Sequence, residues 1–184
     1  MENRKIRYTK MVLRESLMEL MKKKPISEIS IKELCALADV SRSTFYIHYR
    51  DQYDLLHKTE EETIAFIDDV LKKYAFHKND KHAAVHMVEE LLEHVADNNK
   101  SIYVLFSENG DPDFQKKLFS TMYEKKALIP LTEKFQDEQT RQYYFLFIVT
   151  GTIGLIYHWI KTGMNTPIPN LAKLIINITS QIRE

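Results

Sequence analysis

Hydrophobic residues along the chain recur at the three- and four-residue spacing of α-helices, and almost no segment alternates as a β-strand does. Turn-forming residues at 109–112 and 166–169 separate the later periodic segments. The pattern predicts helices over 9–21, 31–38, 42–49, 52–74, 81–98, 101–107, 112–126, 139–162 and 170–183. The predicted fold class is therefore all-α.

Three of the early helices carry clear start and stop signals. Ser30 is followed three residues later by Glu33, the pattern of a capping box, and Ser41 is placed to cap the next helix. Asp39 and Val40 interrupt the periodicity between the two short helices. Two short helices joined by a tight turn and preceded by a longer helix predict a helix-turn-helix. In its first short helix we expect three residues to face inward, namely Leu34, Leu37 and Ala38, and we expect Cys35 to be a buried small hydrophobe.

The second short helix has an unusual outward face. Phe45 and Tyr49 mark its buried side, because they lie four residues apart. The opposite face carries no acidic residue and consists of Ser43, Thr44 and Ile47, with Tyr46 and His48 on its flanks and Arg42 and Arg50 at its ends. Hydroxyls, cations and an aliphatic group suit the major groove of DNA, where a carboxylate would repel phosphate. The alternative is a connecting helix whose Tyr46 and Ile47 are simply packed.

The run from Ile29 to Leu56 resembles the DNA-binding domain of TetR/AcrR-type transcriptional regulators. The most specific match is Val40–Tyr46, followed by His48 and Tyr49 and by the segment 54–56. A long apolar helix farther on, with Gly151, Gly154, Trp159 and Gly163, resembles more loosely the regulatory half of a low-G+C Gram-positive subgroup. The resemblance implies a homodimeric, usually repressing regulator that reads a near-palindromic operator and is often released by a small-molecule effector.

The resemblance also implies roles for individual residues. Arg42 and Ser43 are expected to contact base edges, Thr44 bases or phosphate, and Ile47 and His48 the groove. Tyr46 is expected to contact phosphate, and Lys32 the DNA backbone.

Two positions depart from the family pattern. Asp39 stands where the turn usually has glycine, but aspartate tolerates a positive φ better than most residues. Gln52 stands where the family usually offers a lysine to phosphate, and Arg50 is the candidate that replaces this contact.

The charge is balanced in sum but not along the chain. Lys plus Arg and Asp plus Glu each total 26, which excludes binding of nucleic acid or membrane through bulk charge. Residues 1–50 nevertheless carry 11 basic and six acidic side chains, and residues 51–184 carry 15 and 20. We therefore expect a DNA-binding domain over 1–56 and a regulatory and dimerisation domain over 57–184, with the helix at about 52–74 as connector.

The second domain contains a long uncharged helix. Residues 142–160 carry no full charge and are long enough to approach a membrane span, but their Gly, Thr, Gln and His residues favour a buried or interface helix. The last helix repeats apolar residues at the three- and four-residue spacing that suits packing against another helix. We expect a homodimer and no membrane association. The expected dimer interface consists of Gly151, Leu155, Trp159, Leu171, Leu174, Ile175 and Ile178, and Ile182 extends the apolar stripe of the last helix.

Several other functions find little support in the sequence. One cysteine excludes a disulfide framework, and few glycines and no catalytic motif argue against an enzyme or a cofactor site. The row His82, His86, Glu90 and His94 is expected on the solvated side of its helix and not as a metal site. Aromatic residues are frequent in the second half of the chain, but the sequence does not identify any of them as a contact for a small-molecule effector. Without a signal peptide, we expect a cytoplasmic protein.

Two functions from different classes remain. The first is a sequence-specific DNA-binding transcriptional regulator, for which the resemblance implies repression. The second is a helical interaction protein or coactivator that keeps the fold but binds a partner protein instead of DNA.

Overall fold

The computed structural model describes residues 4–75, 80–125 and 137–181. Over these ranges the regular structure consists of α-helices and one 3-10 turn at Ile26–Glu28, without a strand, so the all-α prediction is confirmed. The helices are α1 (Arg4–Met21), α2 (Ile31–Ala38), α3 (Arg42–His48), α4 (Gln52–Tyr74), α5 (Lys81–Asp97), α6 (Asn99–Leu105), α7 (Pro112–Glu124), α8 (Glu138–Lys161) and α9 (Ile168–Gln181).

Several helix boundaries differ from the prediction by a few residues, and two of these differences have identifiable reasons. α1 begins earlier, at Arg4. α3 ends at His48, because Tyr49 already has an extended backbone with φ −139° and ψ 143°. α9 begins at Ile168, since the proline that follows lies in the first turn, where its missing N–H costs no hydrogen bond. The predicted ends at 126 and 183 lie outside the described residues.

The first of two compact units comprises residues 1–63 and 100–115. Its α1 packs on α2, and α2 packs on α3. Leu34 and Cys35 are buried on α2, whereas Leu37 is exposed, so its predicted inward orientation was wrong. The inward stripe runs through residues 31, 34, 35 and 38, and Leu37 falls outside it. Burial raises the pKa of the Cys35 thiol, which suits a packing role.

The second unit comprises residues 64–99 and 116–184 and has its own hydrophobic core. α5 and α9 pack along each other within it. The main buried cluster of this core takes side chains from four helices, namely Val70, Leu71, Ala84, Met87, Val88, Leu92, Trp159, Leu171, Ala172, Ile175 and Ile176. α8 ends in a turn at Gly163, with φ +85°, after which the Met164 N–H donates to the Trp159 carbonyl at 2.8 Å.

The turn between α2 and α3 depends on a left-handed residue. Asp39 has φ 52° and ψ 44°, in agreement with the expectation that aspartate replaces glycine there. The Val40 N–H returns to the Cys35 carbonyl at 3.0 Å and closes the end of α2. This conformation sets the direction in which the chain enters α3.

We predict that Asp39→Val lowers the free energy of unfolding by about 1–2 kcal/mol, because a β-branched residue resists the left-handed region. Asp39→Asn is the matched control, since asparagine tolerates this region and keeps the side-chain size. Urea denaturation monitored by circular dichroism measures both variants. Equal stability of the valine and asparagine variants would contradict this account of the turn.

Candidate nucleic-acid interface

α3 is held by capping at one end and by aromatic burial along one side. The Ser41 hydroxyl accepts the Thr44 N–H at 3.1 Å, which is the predicted cap. Phe45 is fully buried and Tyr49 is buried beside it, with ring centroids 5.7 Å apart. A helix of seven residues is not stable in water without tertiary contacts. The cap and the buried aromatic side chains therefore determine which face points outward.

The outward face of α3 is exposed as the periodicity predicted. Ile47 is 75% exposed and Tyr46 is 58% exposed, so neither is packed in the core of its unit. Among the other candidate contact residues, Lys32, Arg42, Ser43 and Arg50 are exposed, while Thr44 and His48 are half-buried. No acidic residue occurs from Val40 to Arg50. The interpretation of α3 as a packed connecting helix is therefore wrong.

Three hydroxyls form a hydrogen-bonded group at the start of α3. The Ser41 Oγ lies 2.8 Å from the Ser43 Oγ and 2.8 Å from the Thr44 Oγ1. Part of the hydrogen-bonding capacity of Ser43 and Thr44 is thus already used within the protein. The arrangement orients both hydroxyls without requiring an external ligand.

Sequence reasoning missed a cation at the other end of α3. The Lys58 ammonium donates to the His48 carbonyl and to Asp54 Oδ2, each at 3.0 Å, and it lies 5.0 Å from the centre of the Tyr49 ring. Its four-residue spacing from Asp54 indicated an ion pair, but the contact with α3 depends on the fold. Lys58 therefore ties α4 to the carbonyl end of α3.

The carboxylate of Asp54 lies at this cationic end, and its charge is compensated by two cations. The Arg50 N–H donates to Asp54 Oδ2 at 2.9 Å, and the Arg50 guanidinium lies 3.5 Å from Oδ1. The Arg50 N–H and the Lys58 ammonium hold the pKa of this carboxyl below its ordinary value. The Arg50 side chain is still largely exposed, so it can approach an external anion.

Basic side chains of α1 extend the positive surface. A cleft of about 160 Å³ in the first unit is lined partly by Arg7, Lys10 and Arg14, together with Lys58 and Tyr49. The Arg14 guanidinium is paired with Glu62 at 3.3 Å. Phosphate groups favour a concentration of cations of this kind.

The predicted dimer residues divide into two groups. Gly151, Leu174 and Ile178 are exposed, and Leu155 is partly buried against the core of the second unit. Trp159, Leu171 and Ile175 are buried in that core, which corrects their assignment to an interface. The reason is that α9 has two apolar sides, and its inner side (Leu171, Ala172, Ile175 and Ile176) is already covered within the chain.

Sequence reasoning missed most of the exposed apolar surface on α8. Tyr143, Leu146 and Phe147 are all more than half exposed. A Cβ placed on Gly151 or Gly154 would have no neighbour within 4 Å, so both glycines also face away from their unit. We call this surface, with Leu174 and Ile178 of α9, the α8/α9 strip.

α8 is also the helix, among the described residues, that is long and apolar enough for a membrane span. This result rests on length and composition alone, and such a helix is weak support for a span.

The polar row on α5 is less solvated than predicted. His82 and His86 are exposed, but Glu90 accepts from the Lys73 ammonium at 2.7 Å and from the Tyr74 hydroxyl at 3.1 Å. The His94 ring stacks on Phe66, with centroids 3.8 Å apart. Glu90 and His94 therefore take part in ion pairing and packing within the second unit.

Comparison with known proteins gives a family match and a set of similar folds. The TetR-type model of the transcriptional regulator C-terminal region matches residues 82–181. An uncharacterised HTH-type transcriptional regulator of Bacillus subtilis, YxbF, is 22% identical over 176 residues, which are 93% of this chain and 44% of that protein. The chain thus spans less than half the length of this relative.

Two solved structures are similar over nearly their whole length. A TetR transcriptional regulator from Streptococcus agalactiae has 22% identity and a TM-score of 0.60, with 96% of each chain covered. FadR from Bacillus subtilis, solved with stearoyl-CoA, has 12% identity and a TM-score of 0.60, with 92% of this chain and 96% of FadR covered. At these identities the structures support the fold alone.

We predict that the junction between α3 and α4 weakens in acid. A carboxyl whose folded pKa is lowered stabilises the fold above its ordinary pKa of about 4, and this stabilisation is lost as the pH falls through the lower folded value. Asp54→Asn should therefore reduce the loss of stability between about pH 5 and pH 2. Urea denaturation across this pH range is the measurement.

The control for this experiment is Asp39→Asn, which removes an exposed carboxyl from the neighbouring turn. A smaller loss of stability in acid for Asp54→Asn than for Asp39→Asn would assign the effect to the contacts of Asp54. An Asp54→Asn variant with the unmodified pH dependence would show that the ion pairs around Asp54 do not stabilise the folded state.

Proposed function

Since the chain belongs to the TetR family of transcriptional regulators, we propose that it binds a near-palindromic operator duplex as a homodimer and represses transcription. Members of this family are regulators and not enzymes. The observation that carries the proposal is the exposed, acid-free face of α3, with arginines at both ends. Such a face fits the major groove, where recognition helices of helix-turn-helix proteins lie.

The side chains on this face have complementary roles. Arg42 and Ser43 read base edges, and Ile47 contacts a thymine methyl group, because it is the most exposed apolar side chain of α3. Thr44 and His48, both half-buried, contact the groove at its margins.

Other groups position the protein by contacts with phosphate. The Tyr46 hydroxyl, Lys32 and Arg50 reach the backbone, and we add Lys58 because it lies at the same end of α3 as Arg50.

A second copy of the chain covers the α8/α9 strip. The strip combines large exposed apolar side chains with two glycines that permit close helix approach. Burying it removes apolar surface from water, which is the main favourable contribution to homodimer formation. Two recognition helices related by symmetry then contact two half-sites, which explains a palindromic operator.

We also propose a small-molecule effector and a cytoplasmic location. FadR, which has a similar fold, was solved with stearoyl-CoA, and an acyl-CoA is therefore a reasonable first compound to test. A regulator that binds DNA acts where the DNA is, and in a bacterium that compartment is the cytoplasm.

We predict that Arg42→Ala weakens binding to a selected duplex by about 1–3 kcal/mol and relaxes base preference at one position of each half-site. Tyr46→Ala should weaken binding to all duplexes alike, and Tyr46→Phe isolates the share of the hydroxyl. Duplexes selected from a random library with the purified chain provide the ligand, and fluorescence anisotropy measures the affinities. The affinity of the unmodified chain should fall steeply with salt, since bound phosphates release counterions.

Affinity that ignores salt, or that is equal for a scrambled duplex, would contradict sequence-specific DNA binding and favour the interaction protein. Loss of base preference in Tyr46→Ala, with a uniform loss in Arg42→Ala, would reverse the two roles.

We predict that Phe147→Glu converts the dimer to monomer, because it places a charge in the centre of the α8/α9 strip. The free monomer should keep its helix content, since Phe147 is 64% exposed and supports little of its own unit. Sedimentation velocity measures the assembly, and circular dichroism checks the fold.

The control is His82→Glu, which adds a charge at an exposed position of α5, outside the strip. A dimer that persists in Phe147→Glu at the same concentration would show that the strip is not the interface. Recovery of the unmodified chain only in the membrane fraction would indicate that α8 is covered by lipid instead.

A further inference from the structure

Three side chains of the first unit that are of metal-ligating types lie close together, and none of them is among the residues assigned to DNA contact. His57 and Glu60 lie on α4, and Asp111 precedes α7. One ligand atom from each of the three lies within 4.8 Å of the other two. This juxtaposition joins two segments that are far apart in the sequence.

The two ligands on α4 are arranged by the helix itself. His57 and Glu60 are three residues apart and therefore lie on the same face, with His57 Nδ1 3.2 Å from Glu60 Oε2. The Glu60 side chain is buried, whereas His57 is 62% exposed and open to solvent. A buried carboxylate is favoured by a nearby positive charge, and an exposed imidazole gives an ion a path of entry.

The third ligand is held by a tightly packed turn. Asp111 Oδ1 accepts the Asp113 N–H at 2.8 Å, which orients its carboxylate at the start of α7. The residue before it must be glycine, because a Cβ on Gly110 would lie 2.7 Å from the Val104 carbonyl oxygen and still closer to that of Leu105. Asp111 is thus positioned before any ligand binds.

We propose that His57, Glu60 and Asp111 bind a divalent transition-metal ion such as Zn²⁺, with water completing its coordination. One imidazole nitrogen and two carboxylate oxygens form a donor set that suits borderline dications. Ligand atoms around one ion lie within about twice the metal–ligand distance of 2.0–2.2 Å, so the present separations of up to 4.8 Å are close to those of an occupied site. The bound ion ties α4 to the turn before α7 within the first unit.

A second pair in the chain provides an internal comparison. His86 and Glu89 on α5 have the same three-residue spacing, with His86 Nδ1 2.7 Å from Glu89 Oε2. Among the described residues, the grouping of three ligands is found at His57 and does not include His86. Metal affinity at His57 but not at His86 would therefore show that a His–Glu pair at this spacing does not bind the ion by itself.

Isothermal titration calorimetry of ZnCl₂ into the metal-stripped full chain tests the proposal. We expect one ion per chain, with affinity reduced at least about tenfold in His57→Gln and in Asp111→Asn and unchanged in His86→Gln. Asparagine keeps an oxygen that caps α7, so Asp111→Asn separates metal binding from folding. Zinc should also raise the melting temperature of the unmodified chain and of His86→Gln, but not of His57→Gln.

No zinc binding by the unmodified chain, or unchanged binding in either site variant, would overturn the proposal. Equal loss in His86→Gln would do the same, because it would indicate nonspecific histidine binding. The readout is metal occupancy, so its outcome is independent of whether the chain binds DNA.

Discussion

The burial of Phe45 and Tyr49 is the constraint on which the proposed recognition surface depends. α3 has seven residues, which is too short for a helix that is stable without tertiary contacts. Burial of a phenylalanine contributes several kcal/mol, a large share of the stability of an ordinary domain. Because Phe45 of α3 and Tyr49 directly after it are buried, the side chains of Tyr46 and Ile47 are left on the surface. The same contacts that fold the first unit therefore expose the face that we propose to bind DNA.

Residues around α3 refine this orientation. Asp39 turns the chain, Ser41 caps the start of α3, and Lys58 binds its last carbonyl. Each of these contacts is modest by itself, at about 1 kcal/mol or less for a cap or an exposed ion pair. Together they fix both ends of the helix, which matters because base contacts require accurate placement of short side chains. The proposed dimer then adds a second, symmetry-related copy of the face.

The sequence predicts the parts of this structure that depend on neighbours along the chain. Ser30, Asp39 and Ser41 could be identified because caps and turns are local, and α3 could be oriented because Phe45 and Tyr49 share one face. α9 was harder, since its apolar residues cover more than one face, and periodicity does not say which face its own unit covers. The contact of Lys58 with α3 and the group of His57, Glu60 and Asp111 join different segments of the chain. The spacing of hydrophobic residues does not predict such contacts.

The most direct test of the account places a carboxylate in the middle of the face of α3. Ile47→Glu leaves the core untouched, because this side chain is 75% exposed, and Ile47→Gln supplies the same length without charge. Affinity for a selected duplex, measured at fixed low salt, should fall at least about a hundredfold for the glutamate variant, well beyond the glutamine variant, with unchanged melting temperatures. Equal affinity of the glutamate and glutamine variants would contradict the claim that this face enters the groove.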